Sequence, residues 1–274
     1  MPELPEVETI VRGLRRFVLG KTIGSVFINS PKIQKSNFSG WTNIFPDKKI
    51  LHINRRGKNI LIELSDGFTL WIHLKMTGHL YYLSEAEAID KHDLMIFHFK
   101  NDSNNLRFND YRRFGNIRLI KTGELANQKG LAELGPEPLE ISKSDFIKLF
   151  CRSKRMIKPA LLDQTFLAGI GNIYADEALY LAKIHPRRIT NSVSVEKLAM
   201  LHKIIRRILG KAIRKMGTSV DSFAGVDGKP GGYQTYLKVY GREDEPCSRC
   251  GAKIKREKIG PRSAHYCPKC QRLR

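Results

Sequence analysis

The 274-residue chain has no run of about 18 apolar residues, which excludes a membrane-spanning helix. Its start, Met-Pro-Glu-Leu-Pro-Glu-Val-Glu, is acidic and has no apolar core, so no secretory signal is read there. Cysteine is scarce: of five, four stand in one motif near the C-terminus, and Cys151 stands alone. With no sign of export, the expected compartment is the cytosol or nucleoid, where thiols stay reduced. No internal repeat is visible. Acidic residues are in short supply, 27 Asp and Glu against 48 Lys and Arg, for a formal net charge of +21. The deficit is uneven: residues 1–150 carry +5 and residues 151–274 carry +16. A polyanion is the natural partner, with nucleic acid ahead of a membrane because no amphipathic anchor stands out. Charge alone does not separate DNA from RNA, or an enzyme from a passive binder.

What is present begins with the cysteines. Cys247-x2-Cys250, sixteen residues, then Cys267-x2-Cys270 is the spacing of a four-thiolate zinc site, each pair clamping the ion from a tight knuckle. Two disulfides are the alternative, and the absence of a secretory signal favours zinc. The insert holds Lys253, Lys255, Arg256, Lys258, Arg262 and His265, so a metal-stapled hairpin here would press cations onto nucleic acid. Cys151, in the stretch Phe-Ile-Lys-Leu-Phe-Cys, is expected to be a buried helix residue.

Periodicity divides the rest. Residues 4–19 predict a helix stopped by Gly20. Strands are expected over 50–56, 60–65, 69–76, 79–83, 94–100, 105–109 and 116–121, with Asp66-Gly67 as a hairpin turn. Residues 1–135 therefore read as a β-sandwich or barrel with a helix laid against it. Leu134-Gly-Pro-Glu-Pro-Leu139 is a linker, after which helical patterns take over. Helices are expected over 144–152, from Pro159 to 167, and from an Asn172 cap to about 183. Ser194 caps a long helix whose apolar stripe runs from Leu198 to Met216, and whose other face carries Lys203, Arg206, Arg207, Lys211, Arg214 and Lys215. That basic face is either simply solvated or in contact with phosphate. Residues 217–235, rich in Gly and Ser, read as a mobile loop.

The chain start has two readings. Pro-Glu-x-Pro-Glu suits a helix N-terminus, with Glu3, Glu6 and Glu8 near its positive end. Alternatively, removal of Met1 leaves Pro2 with a free secondary amine, a nucleophile that forms an iminium ion with an aldehyde-like carbon, and Glu3 beside it can exchange protons.

Met-Pro-Glu-Leu-Pro-Glu-Val-Glu-Thr, Arg-Arg-Gly-Lys58, His73-Leu-Lys-Met76, Asp110-Tyr-Arg-Arg-Phe114-Gly, Ala168-Gly-Ile-Gly-Asn172-Ile-Tyr and the cysteine motif occur in this order. The ordered set resembles the bacterial formamidopyrimidine-DNA glycosylases along the whole chain. The resemblance implies an α+β multidomain fold: an N-terminal β-sandwich with flanking helices over 1–135, a helix-two-turn-helix domain over 136–240, and a four-cysteine zinc-finger β-hairpin over 241–274, with DNA in the cleft between domains. It implies a base-excision repair enzyme, acting as a monomer in the bacterial cytoplasm, at the nucleoid. Such an enzyme removes 8-oxoguanine and formamidopyrimidines from duplex DNA and then cuts the strand by β,δ-elimination.

By the same resemblance Pro2 attacks C1′ of the lesion nucleoside, Glu3 exchanges protons with the sugar, and Lys58 lies near the lesion and its phosphate. Met76, Arg112 and Phe114 fill the hole left by the flipped base. His73, Lys158, Asn172, Tyr240 and Arg262 surround phosphates or the lesion, Arg262 also assisting the chemistry. Glu6, Thr218 and Ser219 belong to the lesion pocket, the last two offering hydroxyls or backbone amides from a lesion-capping loop over 217–226. One structural Zn2+ on Cys247, Cys250, Cys267 and Cys270 is implied. Two rivals remain: an endonuclease VIII-type glycosylase for oxidised pyrimidines, and a zinc DNA-binding protein without catalysis. Pro-Glu-Leu-Pro-Glu together with Arg112 and Phe114 favours the purine branch.

Overall fold

A computed structural model provides the structure of the protein and describes residues 1–29, 40–220 and 222–273. The chain divides into two compact units, Met1–Ala132 with Lys215–Gly232, and Glu133–Arg214 with Tyr233–Arg274. No described helix is long and apolar enough to cross a membrane.

The first unit opens with α1 (Leu4–Phe17), which carries Pro5 in its first turn and Arg15 and Arg16 in its last. Val7, Ile10, Val11 and Leu14 share one face, all buried, and Gly20 beyond the helix takes φ +79°. Strands β1 (Ile23–Ile28), β6 (Asp93–Phe99), β7 (Asn104–Asp110) and β5 (Gly78–Ser84) form one antiparallel sheet in the order β1-β6-β7-β5. The other sheet has the order β2-β3-β4-β8, from β2 (Ile50–Arg56), β3 (Asn59–Leu64), β4 (Phe68–His73) and β8 (Asn116–Lys121). A short helix, α2 (Trp41–Ile44), precedes β2.

Inward residues of both sheets, such as Ile62 and Ile72 from one and Phe97 and Phe108 from the other, join α1 in a single core. This is the sandwich. The β3–β4 turn bears out its sequence signal: Asp66 (φ 63°) and Gly67 (φ 75°) both adopt the left-handed conformation that a tight hairpin needs. Strand β1 has no counterpart in the sequence reading. Gly24, Ser25 and a register shift between Ile23 and Ser25 dilute its alternation.

The second unit holds α3 (Lys143–Cys151), α4 (Ile157–Leu162), α5 (Asn172–Leu181), α6 (Val195–Arg214) and the hairpin β9 (Lys255–Ile259) with β10 (Arg262–Tyr266). Along α6, Leu198, Leu201 and Leu209 are wholly buried, so truncating any one to Ala is expected to cost about 2–5 kcal/mol. Part of its basic face turns inward on the unit: Arg206 donates to the Leu139 carbonyl, and the Lys211 ammonium sits 3.5 Å from the centre of the Tyr236 ring.

Four expectations change. Met216 is not on the apolar stripe: the helix ends at Arg214, and Met216 is 45 % exposed. Cys151 does end a helix, but it is exposed, because Phe146 and Phe150 take the buried face. The helix from Pro159 stops at Leu162. The segment 215–232, read from sequence as part of a 136–240 domain, packs on the sandwich. Val226 accepts from the Tyr82 amide (2.9 Å), Ser222 meets His79 Nε2 (2.7 Å), and Phe223 and Val226 enter the sandwich core. Asp221 of that segment lies outside the described residues.

Candidate active site and nucleic-acid interface

Ahead of α1 Pro2 is half-buried, and Glu3 at the helix cap and Glu6 in its first turn are only 3 % and 2 % exposed. Glu6 is the organiser. Its Oε2 accepts from the Glu3 amide (2.9 Å), and its Oε1 accepts from the Thr218 amide (2.8 Å). One carboxylate thus ties the proline-led terminus to the segment 217–226. Gly217 permits the approach: with φ +78°, a Cβ there would lie 2.8 Å from Glu6 Oε1.

The turn between β2 and β3 is drawn onto the same helix. Arg55 Nε donates to Glu8 Oε2 (3.1 Å), and Arg55 Nη1 donates to the Gly57 carbonyl (3.0 Å). Lys58, which pattern alone would leave as a solvated turn lysine, is 6 % exposed. Beyond β4, His73 is held neutral with a pKa of about 4, chiefly by burial and further by the Lys75 and Lys58 ammonium groups. His73 Nδ1 accepts from the Lys75 amide (3.0 Å), which places the ring proton on Nε2 as a donor.

Two loops project the candidate wedge residues. Asp110, fully buried, accepts from Thr77 Oγ1 (2.5 Å) and from the amides of Arg112 (3.1 Å) and Gly115 (2.7 Å). It therefore joins the β4–β5 loop carrying Met76 to the β7–β8 loop carrying Arg112 and Phe114. Any side chain at position 115 would collide, since a Cβ would lie 2.6 Å from Phe108 Cζ. Phe114 is 53 % exposed, and the Arg112 guanidinium stacks on it at 4.6 Å. Met76 is half-buried. An aromatic so exposed is not a core residue. Asp110 lay inside a quoted motif without a role; an acidic residue ahead of an x4-Gly loop is the signal that marks it.

In the second unit a buried charge network joins α4, α5 and the hairpin. Lys158, wholly buried, gives its ammonium to Asp176 Oδ1 (2.5 Å) and to the Ser263 carbonyl. Asp176 Oδ2 accepts from the His265 amide (2.9 Å) and meets its Nδ1 (3.2 Å). Tyr240, half-buried, packs edge-on against the His265 ring at 5.0 Å. Neighbouring Glu177 accepts from the amides of Lys238 (2.9 Å), Val239 (2.8 Å) and Tyr240 (3.0 Å). Its pKa is nonetheless raised, because burial outweighs those bonds and Asp176 repels the charge. Gly171, not Asn172, caps α5; Asn172 is the first helical residue, and its buried amide oxygen has no hydrogen-bond partner. Arg262 stands exposed at the start of β10, beside Gly260 in a left-handed turn.

Two site expectations are revised here. Lys158, placed near phosphate, is instead enclosed by Asp176 and Ser263, and it fixes the hairpin to the helices. The Ser219 hydroxyl donates to the Phe223 carbonyl (2.6 Å) and accepts from the Gly231 amide (2.8 Å), and the Thr218 amide is held by Glu6. Of the hydroxyls and amides expected to meet a base, these two are instead held within the first unit.

The four knuckle sulfurs lie within 4.8 Å of one another, with Cys250 at 3.5 Å from both Cys267 and Cys270, and Cys247 at 4.0 Å from Cys270. A tetrahedron with Zn–S bonds of about 2.3 Å has edges of roughly 3.8 Å, whereas a disulfide needs about 2.05 Å. The geometry fits one structural zinc and not two disulfides. Four thiolates leave no open position for a metal-bound water.

The described residues thus join a β-sandwich led by an N-terminal proline to a helical unit that carries a four-cysteine hairpin. Family models match in three pieces: the formamidopyrimidine-DNA glycosylase N-terminal domain over residues 1–117, its H2TH domain over 134–224, and a zinc finger found in FPG and IleRS over 244–273. Formamidopyrimidine-DNA glycosylases from Pelotomaculum thermopropionicum and Lactiplantibacillus plantarum are 46 % and 44 % identical, over all of each chain. A Lactococcus lactis Fpg variant bound to Fapy-dG-containing DNA superimposes with TM-score 0.93 at 38 % identity, over 99 % of this chain and 100 % of that one. The L. lactis Fpg complex with abasic-site DNA gives TM-score 0.92 at 37 % identity, with the same coverage. The chain belongs to the formamidopyrimidine-DNA glycosylase family.

Proposed function

We propose that the chain excises oxidised purines from duplex DNA through an imine on its N-terminal proline, and that each unit has its own task. The sandwich unit carries the chemistry and the wedge, and the helical unit with its zinc hairpin grips phosphate. Once Met1 is removed, the Pro2 amine attacks C1′ of the lesion nucleoside, and the C1′–base bond breaks with the base leaving protonated. The Glu3 carboxyl protonates the sugar ring oxygen, the C1′–O4′ bond opens, and a Pro2 iminium results. The iminium acidifies C2′, so loss of a C2′ proton expels the 3′-phosphate. A second elimination expels the 5′-phosphate, and water then releases the sugar fragment from Pro2.

Lys58 and His73 Nε2 supply donors for the anions of this path, the former as a charge and the latter as a neutral group. Asn172 and Arg262 hold phosphates, and Tyr240 lies beside the hairpin through its contact with His265. Phe114 and Met76 fill the vacated stack, and Arg112 reads the orphaned base. Zinc gives the hairpin its shape. The substrate places the protein at the nucleoid in the cytoplasm, working as a monomer.

The observation that supports this most is Glu6, which fastens the residue after Pro2 and the 217–226 segment with its two oxygens. Borohydride added during turnover should freeze one protein–DNA adduct, mapped by peptide mass to Pro2. An adduct on a lysine, or none, would falsify the mechanism. Cutting of 8-oxoguanine duplexes should exceed cutting of thymine glycol duplexes; the reverse order assigns the chain to oxidised pyrimidines.

A further inference from the structure

The C-terminal end of α5 opens on a cavity of about 600 Å³. Its walls carry Lys183, Arg188, Lys197, Lys269 and Arg272, with Glu196 as the one acid. Among the described residues no carboxylate pairs with any of the five cations, and Glu196 bonds to Ser194 at its own helix start. Five like charges around one cavity repel one another, and an anionic ligand relieves that repulsion.

Lys183 adds a second observation. The Lys183 amide bonds to the Tyr180 carbonyl (3.1 Å) and the Ile184 amide to the Leu179 carbonyl (3.0 Å), the two bonds of a Schellman cap. The residue after such a cap is usually glycine because it is left-handed. Here it is an exposed lysine at φ 55°. That conformation is strained for a non-glycine residue.

The floor is apolar, from Leu181, Ala182 and Met200, and Met200 is 57 % exposed. Val195 and Leu273, next in sequence to lining residues, are 52 % and 56 % exposed. No lining residue is aromatic, so there is no platform on which a base would stack. The cavity also lies about 15 Å along α5 from Asn172, at the opposite end of the helix from the proposed phosphate contact. Charge and an aliphatic floor together fit a carboxylate-bearing chain with an apolar side chain.

We propose that this cavity is a docking site for an acidic segment of a partner protein, anchored by one apolar side chain. The probe is a fluorescein-labelled peptide, Glu-Asp-Glu-Leu-Asp-Phe, titrated by anisotropy into the zinc-loaded full chain. Binding should be saturable. It should weaken at least about tenfold in Lys183→Glu/Lys197→Glu and at least about threefold when Leu and Phe of the probe become Ser. The Lys183→Gln/Lys197→Gln variant should show a smaller loss. Both variants should retain zinc and cut a lesion duplex within about twofold of the parent, which shows that they fold. No binding, binding indifferent to both variants, full displacement of the probe by abasic duplex, or tighter pocket-dependent binding of labelled oligo-dT would each overturn the proposal, the last in favour of single-stranded nucleic acid.

Discussion

In the sandwich unit, Glu6 and Asp110 accept backbone and hydroxyl hydrogens from loops that end at the surface, where Phe114 and Arg112 stand exposed. In the helical unit, Asp176 and Glu177 accept from Lys158, His265 and residues 238–240, and nothing in that network is exposed to solvent beyond the edge of Tyr240 and Lys238. All four carboxylates are buried, yet they do different work. The first pair shapes loops that reach the surface. The second pair fixes a small metal-stapled hairpin, too short to have a core of its own, to the helices. One device, a buried acid satisfied by local donors, is thus applied to a loop in one case and to a module boundary in the other.

That contrast can be broken by experiment. The largest effect should come from zinc. Structural zinc supplies about 10–16 kcal/mol of apparent binding free energy in small finger modules, so Cys267→Ser or chelation should disorder the hairpin and abolish tight duplex binding. Far-ultraviolet dichroism of the sandwich and borohydride trapping at high abasic-DNA concentration should persist. If chelation eliminated trapping even at saturating DNA, the separation of grip from chemistry would fail.

Next is Asp176→Asn, which strands the Lys158 ammonium in the interior at a cost of about 3–5 kcal/mol, read as a lower denaturation midpoint of the helical unit. Lys158→Met/Asp176→Leu should recover most of that loss. Asp110→Ala should cost about 1–3 kcal/mol through three unsatisfied donors, and it should also blunt discrimination of the base opposite the lesion. Phe114→Ala sharpens the comparison from the other side: as an exposed residue it should leave stability within about 0.5 kcal/mol while slowing lesion excision, measured in single turnover.

The smallest effect is in pH. Folded His73 stays neutral down to about pH 4, whereas the unfolded chain takes up the proton near 6.5. Its contribution to stability is therefore complete above 6.5 and is lost as pH falls toward 4. His73→Asn should flatten the stability profile in that window; an unchanged profile would show that the ring is not enclosed as described.

Much of the site was legible from residue order. The cysteine spacing, the Asp66-Gly67 turn and the α1 and α6 stripes each rest on local rules that a sequence exposes directly. Other features were hidden because their partners are far apart in sequence. Glu6 reads as a helix-start acid until Thr218 arrives to fill its second oxygen, 212 positions away. Lys158 reads as a free cation until Asp176 and Ser263 close around it. Cys151 reads as apolar until Phe146 and Phe150 claim the buried face. Residues 217–235 read as a mobile loop of the 136–240 domain, but Phe223 and Val226 belong to the sandwich core.

The sequence by itself determined the family, from an ordered set of motifs along the chain, the metal, from the spacing of four cysteines, and the two-part distribution of charge, from composition alone. Only the tertiary structure decided which charged groups face solvent and which are enclosed. Burial is a property of the neighbours that long-range packing assembles, and no local pattern records it.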